Sequence, residues 1–264
     1  MCIAYLALDS VPHWPLVIAA NRDEFHARPT RAAAPWPEQP FIVGGLDLEA
    51  GGTWFAISTQ GRFALLTNHR NLHYASTPPT YSRGLLCKNF LNAQHTPEQY
   101  LQQLAPQAQL YEGFNLIVGQ WLSTQQRFDC WYYSNRSEQA ARRLTPGHYV
   151  LSNDLLNTPW PKSQRLCSRI QQQLQTVSPQ QTEAIYTILQ DSHQALPNEL
   201  PNTGLSPERE QLLSSPFIIS PDYGTRSSTV WTVNQSGQSR FNERSFNAQG
   251  IETQRHSWPV VFDL

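Results

Sequence analysis

The amino-acid sequence predicts an α+β fold, a four-layer αββα sandwich, and three observations lead there. Short apolar runs bounded by turn residues recur at the start, middle and end of the 264-residue chain, as β-strands do. Two pairs of helical segments interrupt them. The order is then strands, two helices, strands, two helices, strands. Two packed sheets with helices outside would bury both apolar faces of each sheet.

The strand candidates begin with Cys2–Leu8 and Leu16–Ala20, then Phe41–Gly44, Thr53–Ser58 and Phe63–Thr67. Gln60-Gly61 is a tight-turn pair that makes the last two a hairpin. Residues 27–40, rich in Pro and Ala, read as an irregular crossing loop. Arg83–Ala93 and Pro97–Leu104 read as helices, with Thr96 as N-cap before Pro97. Strands return at Phe114–Trp121, Arg127–Tyr133 and Tyr149–Ser152. Pro161–Thr176 and Pro179–Ser192 form the second helical pair, each starting on a proline. Residues 194–216 read as a long surface loop, and Arg226–Val233, Gln238–Asn247 and Glu252–Trp258 as the closing strands. No linker divides the chain, so a single domain over residues 1–264 is expected.

Composition narrows the function classes. Formal net charge is -1, with 19 basic and 20 acidic side chains, and no basic stripe is present. Phosphate neutralisation supplies most nucleic-acid affinity, so nucleic acid is set aside. No apolar run approaches the ~20 residues that span a bilayer. The first 25 residues lack a basic n-region, and Asp9 and Pro12 interrupt their apolar run, so a signal peptide is not expected and the cytoplasm is. Of the four cysteines, none forms a C-x-x-C pair, which leaves a zinc ribbon or thioredoxin motif without support. Cys87, Cys130 and Cys167 sit in apolar helix or strand contexts and read as small buried hydrophobes.

Cys2 is different. The residue after the initiator Met is small, so removal of Met1 is expected, leaving a cysteine with a free α-amine. The amine, with an ordinary pKa of about 7.7–8.0, can take the proton of a thiol with an ordinary pKa near ~8.5. This is nucleophile activation by an N-terminal amine. The apolar run Ile3–Leu8 reads as a buried strand that would hold the terminus in place. Leu16–Ala20 likewise reads as a strand, and it ends abruptly in Asn21-Arg22-Asp23-Glu24-Phe25. If the two strands pair, a carboxylate lies near the amine, and a guanidinium lies where it would favour thiolate. A solvated turn with an Arg–carboxylate pair would also account for these residues.

NRDEF after a short apolar strand, with Met-Cys at the start, resembles the NRDE family, also called the transport and Golgi organisation protein 2 family. The likeness continues through GGTWFAIS at 51–58, LLTNHR at 65–70, SND at 152–154 with NTPWPK at 157–162, and GTRSSTV at 224–230. It implies an N-terminal-nucleophile hydrolase fold, similar in plan to the bile salt hydrolase and penicillin V acylase group. By that resemblance Cys2 is the nucleophile and Asp23 orients the amine. Asn68 helps form the oxyanion hole, Asn153 contacts the substrate amide and the amine, and Arg226 supports the nucleophile. In that group the early Arg precedes its Asn, whereas Arg22 here lies between Asn21 and Asp23. Whether Arg22 or Arg226 is nearer the thiol stays open. An oxyanion donor of this kind is worth about 3–4 kcal/mol in a transition state. Asn68 and Asn153 are also ordinary turn formers.

The resulting expectation is an amidase for a non-peptide amide, an N-acylated small molecule, needing no cofactor. Asn21, Trp54, His69, His73, Tyr74 and Trp160 are expected to contact the substrate. His69 and His73 are spaced i, i+4, but on a strand end and loop without a third ligand, so no metal site is expected. The rival expectation is a carrier without turnover, since the resemblance also links eukaryotic relatives to haem trafficking and lipid homeostasis. Axial ligands would then come from the His69/His73 region.

Overall fold

Alternation of buried side chains builds two sheets. The computed structural model describes residues 2–74 and 79–262. Met1, whose removal is expected above, lies outside them. The first sheet has six strands: β1 (Cys2–Val11), β2 (Trp14–Phe25), β10 (Gly147–Leu151), β11 (Tyr223–Val233), β12 (Gln238–Phe246) and β13 (Glu252–Val261), in the order β10-β1-β2-β11-β12-β13. The second has seven, in sequence order: β3 (Thr30–Trp36), β4 (Gln39–Asp47), β5 (Phe55–Ser58), β6 (Arg62–Asn68), β7 (Phe114–Leu122), β8 (Arg127–Ser134) and β9 (Arg142–Arg143). Every pairing is antiparallel.

Period-2 alternation sends one row of each central strand to each side. Ala4, Leu6 and Leu8 join Leu16, Ile18, Phe55, Phe63, Ile117 and Trp231 in the core between the sheets. Ile3, Tyr5, Val17 and Ala19 face the other way and meet Leu166, Ile170, Ile185 and Leu189. Those four come from α3 (Pro161–Leu174) and α4 (Thr182–Leu189). On the far side α1 (Gly84–Asn92) and α2 (Pro97–Leu104) lay Leu86, Phe90, Leu91 and Leu101 on Ala64, Leu116 and Val118. The layers are therefore αββα, as the sequence predicts. Among the described residues no helix is long and apolar enough to cross a membrane.

Local signals account for the joints. Thr96 Oγ1 accepts from the Gln99 amide at 3.2 Å while Gln99 Oε1 accepts from the Thr96 amide at 3.1 Å, a capping box that starts α2. Gly61 takes a positive φ of 70° in the turn between β5 and β6, which suits glycine.

Two expectations need correction. Residues 27–40 are not an irregular loop; β3 occupies Thr30–Trp36. It is an edge strand with two register irregularities against β4, and edges and bulges are where a sheet tolerates proline. Residues 194–216 contain a helix, α5 (Pro207–Leu212), with Ser206 Oγ accepting from the Arg209 amide at 3.3 Å. Its six residues are too few to show a 3.6-residue period.

Candidate active site

Sheet pairing brings the N-terminal strand and the NRDEF segment together. Cys2 is the first residue of β1, and its register partner on β2 is Arg22. Because β2 lies between β1 and β11, its polar end is buried: Asn21, Arg22 and Asp23 are each at most 5% exposed. Buried polar groups need partners. Arg22 Nη1 donates to Thr30 Oγ1 at 3.1 Å, and the guanidinium lies 4.1 Å from the centroid of the Trp54 ring. Asp23 Oδ1 accepts from Thr225 Oγ1 at 2.7 Å.

Cys2, Arg22, Asp23, Trp54 and Asn68 all line one cavity of about 420 Å³ at the end of the sandwich. Its wall also includes Thr53 and Gly84. A Cβ on Gly52 would lie 2.4 Å from the Gly84 carbonyl carbon, so the loop before β5 and the start of α1 meet backbone to backbone. The GGTW segment thus sets Trp54 beside the guanidinium.

Burial pushes the Cys2 thiol above its ordinary pKa; the Asp23 carboxylate adds to this and the Arg22 guanidinium opposes it. Burial also raises the Asp23 carboxyl, against the pull of Lys162, the Thr225 hydrogen bond and Arg22. A raised thiol is protonated at rest, so it needs a base to become a nucleophile.

Asn68 closes β6 on the cavity. Its carbonyl accepts from Asn153 Nδ2 at 3.1 Å, and the Asn153 carbonyl accepts from the Arg70 amide at 2.6 Å. Asn153 itself is fully buried and is not part of the cavity wall. The structure places it behind Asn68, as a clamp on residues 68–70.

Several expected positions fall elsewhere. The β11 ladder against β2 shifts register between Thr225 and Ser227, so Arg226 is the extra residue of a bulge, and bulges re-aim side chains. Its Nη1 donates to the carbonyls of Phe25, His26 and Arg28 at 2.9, 3.1 and 3.3 Å; Arg226 itself does not line the cavity, although Phe25 and Arg28 do. Of the two arginines, Arg22 therefore lies at the thiol. Asn21 faces α4: its Nδ2 donates to the carbonyls of Leu189 and Pro216 at 2.8 and 2.9 Å, and its Oδ1 accepts from Ser228 Oγ at 2.6 Å. His69 Nε2 is 3.4 Å from Asp154 Oδ1, and His73 Nε2 is 3.3 Å from Asn202 Oδ1. Tyr74 is exposed under the Arg136 guanidinium, and Trp160 is buried under Arg70 and Lys162. None of these four lines the cavity. Among the described residues no group of three or more His, Cys, Asp or Glu could hold a metal ion.

The site also holds residues that the sequence reading passes over. Arg70, Arg83, Arg209 and Tyr223 line the cavity. Arg70 Nη2 pairs with Glu210 Oε2 at 2.9 Å in a buried ion pair, and Glu210 also accepts from the Thr203 amide at 2.8 Å. Lys162, 2% exposed, donates to Leu213 O at 3.0 Å and Asn153 Oδ1 at 3.4 Å. The only hint in the sequence is that Lys162 is the second residue of NTPWPK's proline-started helix.

Comparison with known proteins follows the same length of chain. The family model described as transport and Golgi organisation 2 matches residues 1–248. The Mus musculus transport and Golgi organization 2 homolog is 36% identical over 264 residues, covering 93% of each chain. The Homo sapiens homolog is 37% identical over 262 residues, again covering 93% of each. Among solved structures, a Caenorhabditis elegans N-acylethanolamine-hydrolyzing acid amidase ortholog is similar at a TM-score of 0.49 and 13% identity, over 89% of this chain and 93% of that one. On the family match and the identity to the two mammalian homologs, the chain belongs to the transport and Golgi organisation 2 family.

Proposed function

We propose that this chain is an N-terminal cysteine amidohydrolase for a non-peptide amide, an N-acyl small molecule, with Cys2 as nucleophile once Met1 is removed. The observation that carries the reading is the shared cavity of Cys2, Arg22, Asp23 and Asn68. Its volume of about 420 Å³ suits a small molecule.

The chemistry balances within Cys2 and its neighbours. The α-amine takes the thiol proton, and the sulfur attacks the amide carbon. Charge develops on the carbonyl oxygen, where the Asn68 side-chain NH2 can donate. The ammonium, oriented by Asp23, returns its proton to the leaving amine as the C–N bond breaks. Water then attacks the thioester and gives a proton to the amine; the C–S bond breaks, the ammonium returns that proton to the sulfur, and the acid leaves. Burial disfavours a free thiolate, so the proton passes to the amine as the sulfur attacks.

A screen of N-acyl amides against native protein and Cys2→Ala tests the reading. Release of amine by the native protein, abolished in Cys2→Ala, is the expected result. Ligand binding without turnover across the panel, unchanged in Cys2→Ala, would instead favour a carrier.

A further inference from the structure

We propose that Lys162 is a positioning residue: it locks the Asn153 amide in the one orientation that lets Asn153 hold the Asn68 carbonyl at the cavity. An ammonium only donates, so the Asn153 atom 3.4 Å from Lys162 Nζ is the oxygen. Ser152 Oγ has one proton to give, either to that same oxygen at 3.3 Å or to the Cys2 carbonyl at 3.4 Å. The NH2 group must then face the other way, where Asn68 O waits at 3.1 Å. Take the ammonium away, and Ser152 Oγ can donate or accept. The amide is then free to flip and set its oxygen against the Asn68 carbonyl.

Lys162 is an expensive residue to place there. It is 2% exposed, and among the described residues it donates to two neutral oxygens, Asn153 Oδ1 and Leu213 O. Burial and the nearby Arg70 guanidinium push its amine down to about 8, while Asp23, Cys2 and Glu210 pull it up. A buried cation so held is weak evidence for stability. What it secures is geometry: the Asn153 side chain and backbone together grip Asn68 O and the Arg70 amide. Both of those residues line the cavity. The effect on acyl transfer rests on reading Cys2 as the nucleophile; the clamp does not.

Lys162→Met, Asn153→Ala and the double variant test this with two probes of Cys2. Acylation by p-nitrophenyl acetate passes through an oxyanion, and alkylation by iodoacetamide does not. The expected result for Lys162→Met is acylation slowed about tenfold or more, with alkylation within about twofold, and a double variant no slower than Asn153→Ala. Hydrogen exchange at the Arg70 amide should speed up alongside. Acylation and alkylation falling together, multiplying effects in the double variant, or an Arg70 amide exchanging as in the native protein would each overturn the proposal. Asn153→Asp covers the case in which Lys162→Met does not fold. It is isosteric and still accepts from the ammonium, but sets a carboxylate oxygen against Asn68 O in place of the donor, so unchanged acylation in this variant also overturns the proposal. A native protein that p-nitrophenyl acetate does not acylate sinks the acyl-transfer reading instead. Exchange at Arg70 then decides the clamp alone.

Discussion

Cys2 and Arg22 face each other as register partners across β1 and β2, and both line the cavity. The guanidinium opposes the upward push of burial on the thiol. Replacing it with an uncharged side chain of similar length removes that opposition. Arg22→Met is expected to slow iodoacetamide alkylation of Cys2 near neutral pH, because losing the guanidinium moves the thiol further up. An unchanged or faster rate would mean that Arg22 serves Trp54 and Thr30 alone.

Thr225 gives Asp23 a buried hydrogen bond of 2.7 Å across the β2–β11 ladder. A hydrogen bond to a charged acceptor contributes about 1.5–3 kcal/mol. Thr225→Val keeps the shape and should lose roughly that amount in urea unfolding. It should also move the Asp23 carboxyl further up, since the Thr225 bond lowers it. A loss no larger than that of a surface substitution would contradict the assignment.

The Arg70–Glu210 pair ties the segment that carries Leu205, Arg209 and Leu213 to the cavity wall. Both partners are buried. Removing Glu210 takes away the carboxylate that the buried guanidinium pairs with, at a cost of about 3–5 kcal/mol. Glu210→Ala is therefore expected to destabilise by that order, and to loosen residues 203–213 in limited proteolysis. Replacing both partners, Arg70→Met with Glu210→Leu, should recover much of the stability. A double variant as unstable as Glu210→Ala would contradict this.

Glu243 links the two sheets. Its Oε1 accepts from the Ala33 amide at 2.6 Å, and its Oε2 from Thr229 Oγ1 at 3.3 Å. Burial pushes its carboxyl from 4.5 up to about 7. The folded form thus holds its proton more tightly than the unfolded form. Its contribution is fully present below about pH 4.5 and is lost as pH rises through about 7. A shift of that size corresponds to about 3 kcal/mol. Urea midpoints measured across this window should fall for the native protein and flatten for Glu243→Gln. Parallel slopes would assign the pH dependence to other groups.

Legibility in the sequence followed locality. The central strands showed as continuous apolar runs because both their faces are buried, and NRDEF stood out because an apolar strand stopped at four polar residues. β3 was hidden by Pro29, Pro35, Pro37 and Pro40, which read as loop unless the strand is known to be an edge. Arg226 keeps its place in the GTRSSTV run, but the bulge that takes it out of the ladder exists only in the pairing with β2. Lys162 occupies a helix start, where a charge is ordinary. Its burial comes from Asn153 and Leu213, nine and fifty-one residues away. His69, Tyr74 and Trp160 are near Asn68 or Asn153 in sequence or space, but their side chains point to Asp154, Arg136 and Arg70.

The central claim is that Cys2 with a free amine is the acyl-accepting nucleophile. Intact-mass spectrometry of the protein from its own host, before and after brief exposure to p-nitrophenyl acetate, tests it most directly. The predicted result is a mass lacking Met1 and a single acyl adduct that Cys2→Ala does not form. A mass that retains Met1, or an adduct that persists in Cys2→Ala, would contradict it.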